Sequence, residues 1–223
     1  MRFWDYVKEE KEVIKDRDPA IKSDWEVFLY PCFWAIWKYR KAHRLYNKGH
    51  YYRARKISQH AARKYGIEIH PGAVIGKGFF IDHGHGVVIG ETTVIGDNVT
   101  LYQGVTLGGT GKEHGKRHPT IEDNVMISSG AKVLGSFTIG AGSKIGAGSV
   151  VLEEVPPNST VVGIPGRVVK CQNLSLPNTD LDQVNLPDPV LNDINNLKRE
   201  NEELKTAINK IIEKVGDSSW KIK

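Results

Sequence analysis

The chain has 223 residues, 39% hydrophobic and 26% charged, enough for one ordinary domain plus a smaller piece and too apolar for wholesale disorder. Two cysteines, Cys32 and Cys171, make no disulfide framework; with a start (Met1-Arg2-Phe3-Trp4) that lacks an apolar signal-peptide core, they predict a reducing, cytoplasmic compartment. The longest apolar run, Val27 to Trp37, is about half of the ~20 residues a bilayer crossing needs, and Pro31 interrupts it, so no membrane partner is expected.

Composition shifts twice. Fourteen of the nineteen aromatic residues lie in 1–65, and twenty-one of the twenty-three glycines lie in 66–166. These shifts predict an α-helical domain over 1–65, a second domain over 66–170, a linker over 171–189 and a helix over 190–216.

In 1–65, apolar and aromatic residues recur at three- and four-residue steps (Trp4, Val7; Trp25, Phe28; Phe33, Ile36, Trp37), the spacing of one helix face. Asp18-Pro19 reads as a helix start, with the carboxylate at the N-cap and proline in the first turn. Between Lys38 and Lys64 lie ten Lys/Arg, three His and no acid. That stretch reads as a solvated face, and without a recognition motif no nucleic-acid partner is expected, although the net charge of +5 favours anions.

The middle of the chain repeats every six residues. Ile69, Ile75 and Ile81, then Ile89, Ile95, Leu101 and Leu107, then Ile121, Ile127, Val133, Ile139, Ile145 and Val151 are spaced by six except at two steps. This period fits neither an α-helix nor a hairpin and marks a parallel β-helix, in which one residue per repeat points inward and three short strands make a triangular coil. Gly and Asn (Asp97-Asn98, Asp123-Asn124) suit corners that need positive φ. At roughly 1.5–3 kcal/mol per buried aliphatic side chain, the ladder is a large stabilising term.

The two breaks in the period are the candidate site. Ile81 to Ile89 carries two surplus residues within Asp82-His83-Gly84-His85-Gly86, and Leu107 to Ile121 is eight more than one repeat, or two more than two, around Gly108-Gly109-Thr110-Gly111-Lys112 and Arg117-His118-Pro119. A solenoid accommodates insertions only as surface loops, which often bind ligands. A histidine titrating near ~6.5 can act as a general base when a carboxylate orients it, and Glu68, fifteen residues before His83, lies in the preceding coil. His83, His85 and His118 as a zinc site form the alternative, without the close ligand spacing that metal sites usually show. The glycine run is no phosphate loop, because Thr106 and Glu113 stand where glycine and a hydroxyl residue are required. It offers backbone N–H groups instead, with Arg117 placed to fork onto a carboxylate.

Asp82-His83-Gly84, Gly104-Val105-Thr106-Leu107-Gly108-Gly109-Thr110-Gly111-Lys112, Arg117-His118-Pro119, Lys144-Ile145-Gly146-Ala147-Gly148-Ser149, Arg17-Asp18-Pro19-Ala20 and Val162-Gly163-Ile164-Pro165-Gly166-Arg167 together resemble the serine O-acetyltransferases, across residues 16 to 170. The resemblance implies a left-handed parallel β-helix and acetyl transfer from acetyl-CoA to L-serine, the first committed step of cysteine synthesis. It implies His83 as the base, with Glu68 where the family usually has an aspartate. Asp18 and Asp82 would hold the serine amino group, and Arg117 and His118 its carboxylate. Gly109 would be the oxyanion donor. Gly109, Thr110, Ser129, Lys144, Ala147 and Arg167 would contact CoA. No metal is implied. Further implications are feedback inhibition by cysteine and a homo-trimer or dimer of trimers. A sugar or antibiotic acetyltransferase would not need the clamp of Asp18, Asp82 and Arg117, and a non-catalytic scaffold would not need the breaks.

From Val190 the apolar positions step by four and three (Val190, Ile194, Leu197, Asn201, Leu204, Ile208, Ile211, Val215), the heptads of a parallel coiled coil of open strand number with Asn201 at one a position, or else an amphipathic helix docked on its own subunit. The family's C-terminal isoleucine commonly enters the next enzyme, a sulfhydrylase. Here Trp220-Lys221-Ile222-Lys223 leaves it penultimate, which argues against that complex.

Overall fold

The computed structural model describes residues 2–111, 114–171 and 189–215. They fall in two units, Met1–Pro187 and Asp188–Lys223. The first opens with three helices, α1 (Phe3–Arg17), α2 (Pro31–Tyr46) and α3 (Tyr51–Tyr65). Asp18-Pro19 ends a helix instead of starting one: Asp18 is the C-cap of α1 and accepts the Ala20 N–H at 2.8 Å. The physical reason is that proline disfavours helical backbone at the residue before it. The proline of a first helical turn is Pro31. Tyr6 of α1 packs its ring 4.9 Å from Phe33 and 5.0 Å from Trp37 of α2, so part of the aromatic stripe is core. Trp4 and Trp25 remain exposed.

Among the described residues fifteen short strands follow, in three sheets. The first contains β1 (Ile67–Ile69), β4 (Val87–Ile89), β7 (Thr106–Gly108), β10 (Lys132–Leu134) and β13 (Val150–Val151). The second contains β2 (Val74–Ile75), β5 (Val94–Ile95), β8 (Thr120–Ile121) and β11 (Thr138–Ile139). The third contains β3 (Phe80–Ile81), β6 (Thr100–Leu101), β9 (Met126–Ile127), β12 (Lys144–Ile145), β14 (Ser159–Val162) and the antiparallel β15 (Arg167–Cys171). All the other pairings are parallel, each strand lying one coil beyond its partner, as a β-helix requires.

The aliphatic residues read every six positions sort into three ladders. Ile69, Ile89, Leu107, Val133 and Val151 stack on the first face, and Ile75, Ile95, Ile121 and Ile139 on the second. Ile81, Leu101, Ile127 and Ile145 stack on the third, where Val161 continues the stack. Neither insertion disturbs the order. The expectation of one inward residue per repeat needs correction, however. Residues two places earlier, among them Ile67, Ala73, Phe79, Val99, Val105, Val125 and Ala131, are also buried. Side chains alternate along a two-residue strand, so the residue at the corner before it turns back toward the axis. Asn98 and Asn124 sit at φ 57° and 59°, the left-handed corner conformation that asparagine tolerates.

The helices pack on the first two coils. Tyr39 donates to the Ala73 carbonyl at 2.6 Å, Ser58 to the Ile69 carbonyl at 2.6 Å, and Arg17 to Thr100 Oγ1 at 2.7 Å. In the second unit α4 spans Pro189–Val215, in agreement with the expected helix. Of the expected linker, 172–188 lies outside the described residues, as does the segment bearing Ile222.

Among the helices Glu10 is buried, with Oε1 3.8 Å from Arg40. Burial pushes its carboxyl up to about 8, against Arg40, which pulls it down. The unfolded chain releases this proton near the usual carboxylate value, while the folded chain holds it until about pH 8. The contribution of Glu10 to stability is therefore fully present in acid and is lost as pH rises through that interval. Urea titrations at pH 5 and pH 8 should show a lower midpoint at pH 8, and Glu10→Gln should shrink the difference; an unchanged difference in the variant would exclude Glu10 as its source.

Candidate active site

The first insertion leaves the coil at the edge between the third and first sheets. The chain closes a three-residue turn there, with the Gly84 N–H on the Asp82 carbonyl at 2.6 Å and His83 between them at φ 57°. Positive φ at histidine is a strained backbone state, of the kind that collects at functional sites. The turn presents an exposed imidazole whose Nε2 is 3.9 Å from Asp82 Oδ1.

Asp18, Tyr30, Cys32, Ile81, Asp82 and His83 surround a cavity of about 300 Å³. Asp18 accepts a hydrogen bond from the Tyr30 hydroxyl. Burial raises the Asp82 carboxyl above the usual carboxylate range, and the charge of Asp18 adds to the rise while His83 opposes it. Two carboxylates facing one small cavity suit a cation such as a primary ammonium group. Burial pushes the Cys32 thiol up to about 12, so it is no nucleophile at neutral pH.

The second insertion leaves at a different edge, between the first and second sheets. Arg117 pairs with Glu91 Oε2, and Glu91 Oε1 accepts the Tyr46 hydroxyl of α2 at 2.8 Å. These bonds hold the Glu91 carboxyl below the usual range, Arg117 contributing most. The Thr92 hydroxyl accepts the N–H groups of Arg117 (3.0 Å) and His118 (3.1 Å), which occupies both its lone pairs. Its own hydrogen therefore points to His118 Nδ1 at 2.9 Å, where the Thr92 N–H also donates at 3.2 Å. Nδ1 is the acceptor, and the proton of the neutral ring is on Nε2. Burial and the neighbouring Arg117 charge lower the His118 pKa. The ring lies against Gly90, where a Cβ would come within 1.9 Å of His118 Cδ2.

The predicted residues thus divide between two edges. Asp18, Asp82 and His83 meet at one. Ser129 and Ala147 line the same edge two and three coils further on, through a column of bonds: Gly104 N–H to the His85 carbonyl (2.9 Å), Gly130 N–H to Gln103 (2.8 Å) and Gly148 N–H to Ser129 (2.8 Å). Gly109, Thr110, Arg117 and His118 belong to the other edge, with Gly109 and Thr110 exposed at the start of the loop. Lys144 begins β12 and Arg167 begins β15. Glu68 lies on β1, with Oε1 accepting from Arg55 (3.3 Å) and Gln59 (3.2 Å) of α3, and no hydrogen bond joins it to His83. Among the described residues no three His, Cys, Asp or Glu side chains gather as a metal site; His83 and His85 share an edge that His118 does not. Sequence reasoning missed Tyr30, Glu91 and Thr92. Glu91 and Thr92 follow Gly90 in an unbroken repeat, and Tyr30 reaches Asp18 only through the helical fold.

A triangular coil of hexapeptide repeats with a histidine loop at one edge is the architecture of an acyltransferase class, and residues 118–153 match the family model described as bacterial transferase hexapeptide (six repeats). A serine acetyltransferase from Bacillus licheniformis is 58% identical over 92% of this chain and 95% of its own length, and one from Bacillus subtilis is 57% identical over the same shares. Solved structures of serine acetyltransferases superpose well: one in complex with cysteine (TM-score 0.78, 41% identity, 82% of this chain and 71% of that one), one from Neisseria gonorrhoeae in complex with serine (0.71, 43%, 75% and 69%), and one from Brucella abortus in complex with coenzyme A (0.72, 42%, 76% and 70%). The chain belongs to the serine acetyltransferase family and is an acyltransferase. Among the described residues no helix is long and apolar enough to cross a membrane.

The Thr92 network fixes a spectroscopic outcome. Nitrogen-detected NMR of imidazole-labelled protein at pH 7 should show His118 neutral and protonated on Nε2, and Thr92→Val should shift Nδ1 as it loses the hydroxyl donor. A charged His118 at pH 7, or an Nδ1–H tautomer, would contradict the network.

Proposed function

We propose that this protein transfers the acetyl group of acetyl-CoA to the hydroxyl of L-serine, giving O-acetyl-L-serine and CoA. The observation that carries the reading is the cavity where Asp18, Asp82 and His83 meet. It sets two carboxylates and a histidine around one cavity of about 300 Å³. The serine ammonium group lies between Asp18 and Asp82, and its hydroxyl faces His83. The imidazole takes the hydroxyl proton as the oxygen attacks the thioester carbonyl. The carbon–oxygen bond forms, the carbon–sulfur bond breaks, and the imidazolium returns the proton to the departing CoA sulfur. No acyl-enzyme forms. A positioned base contributes roughly 10²–10⁴ in rate, and the Gly109 N–H, as oxyanion donor, about 3–4 kcal/mol.

One chain does not bring these groups together, because His83 and Gly109 stand at different edges of the first sheet. We infer that the site is shared: Asp18, Asp82 and His83 come from one subunit, while Gly109, Thr110, Arg117 and His118 come from its neighbour. A closed homo-trimer repeats that junction three times. The Nε2–H of His118 and the free face of the Arg117 fork then meet the serine carboxylate. The pantetheine arm of CoA runs along the edge of Ser129 and Ala147, with Lys144 and Arg167 toward its phosphates. On the family's pattern Glu68 is the carboxylate that steadies His83; β1 and the His83 turn touch, and Glu68 would have to turn from Arg55 and Gln59, which hold it in this structure, to reach the imidazole. The chain is read as a cytoplasmic enzyme.

Thiol release from acetyl-CoA tests the acceptor and the shared site together. L-serine should support turnover and sugars should not. His83→Ala and Arg117→Ala should each lose most turnover while His83→Ala keeps CoA binding. Unfolding and reassembling the two variants as an equal mixture should restore about a quarter of wild-type activity, since one junction in four then has both intact partners. No restoration would sink the shared site, and full activity of His83→Ala would remove it as the base.

Cysteine presents the same ammonium and carboxylate groups as serine, so feedback inhibition follows from the clamp of Asp18, Asp82, Arg117 and His118. Initial rates should show cysteine competing with serine; inhibition unaffected by saturating serine would place it elsewhere.

A further inference from the structure

The helix α4 carries a surface that the proposed reaction does not use. Ile194 and Ile208 fall at heptad position a, and Leu197, Leu204 and Ile211 at d, forming one stripe along the helix. Leu197 is 64% exposed and Leu204 63%. In a folded protein an amphipathic helix such as α4, 27 residues long, gains most of its stability by packing its apolar face. Something should cover this stripe, and two observations say what.

The first is charge. Asp193 and Glu200 occupy g positions, and Lys198 and Lys205 occupy e positions. In a parallel pair of α4 helices each g residue faces the e residue five places on in the partner, so Asp193 meets Lys198 and Glu200 meets Lys205. An antiparallel pair would set acid against acid and lysine against lysine. The second is Asn201, at a between the two leucines. In a parallel, in-register pair Asn201 faces its own copy, and each amide can both donate and accept. In an antiparallel pair it would face an apolar d residue and leave a buried amide without a partner.

We propose that α4 is an assembly helix that packs, parallel and in register, against the α4 of other copies of this chain. The inference does not rest on the acetyl-transfer reading. Its consequence is that subunits joined this way stay at high local concentration when the protein is dilute.

Cysteine cross-linking in the full chain tests it. Leu204→Cys puts a thiol at d, where a parallel partner presents the same residue. Thr206→Cys puts one at f, on the outer face. The wild-type chain, with Cys32 and Cys171, sets the baseline. Under mild diamide oxidation Leu204→Cys should form disulfide-linked dimers at least about tenfold faster than Thr206→Cys, because only d–d thiols meet the geometry of the bond. Adding Glu200→Lys to Leu204→Cys should slow the linkage, and adding Lys205→Glu as well should restore it. Equal rates for the d and f cysteines would mean that the stripe docks on its own subunit or on a different protein. A rate indifferent to the charge swap would overturn the parallel register.

Discussion

The structure depends on one constraint: every sixth residue must land directly over the aliphatic side chain one coil below. Ile69, Ile89, Leu107, Val133 and Val151 do so on the first face, and two equivalent stacks run up the others. Because each strand is only two or three residues long for most of the coil, a slip of one residue would turn the whole inward set to solvent. A second inward column, two residues ahead of each rung, doubles the packing and tightens that requirement.

Extra residues therefore have nowhere to go except the edges. The two insertions leave at two of them and return the chain to the register it would have had without them. The candidate site is consequently placed on corners of a rigid prism, on loops whose ends the stacked coil fixes. The same rigidity keeps the two loops apart. A prism cannot bend to bring one edge to another, and a second prism set alongside is the simple way to join them.

The two edges differ in electrical character. At the first, Asp18 and Asp82 face one cavity, and the Asp82 carboxyl is raised by burial first, with the Asp18 charge a lesser addition, an arrangement that a bound cation would relieve. At the second, the charges are already balanced. Glu91 holds Arg117, Thr92 holds the backbone of the loop and the His118 ring, and Tyr46 ties the cluster to α2. One edge is short of positive charge, and at the other the charges are paired and the loop is held rigidly.

Much of this was legible in the order of residues. The six-residue period identifies the coil, its three ladders and the two places where it must open, because burial at a fixed spacing is a property of the chain itself. The histidine loops and the family likeness follow from the same letters. Contacts across long separations were not legible. Tyr30 on Asp18, Thr92 under His118 and the bonds of Glu68 to α3 join residues whose separations carry no periodic signal. Asp18-Pro19 misled for a local reason: the dipeptide can stand at either end of a helix, and here proline's hindrance of helical backbone at the residue before it ends α1 at Asp18. Local spacing determines which side chains turn inward, but which outward-facing groups meet depends on how separate elements are brought together in space.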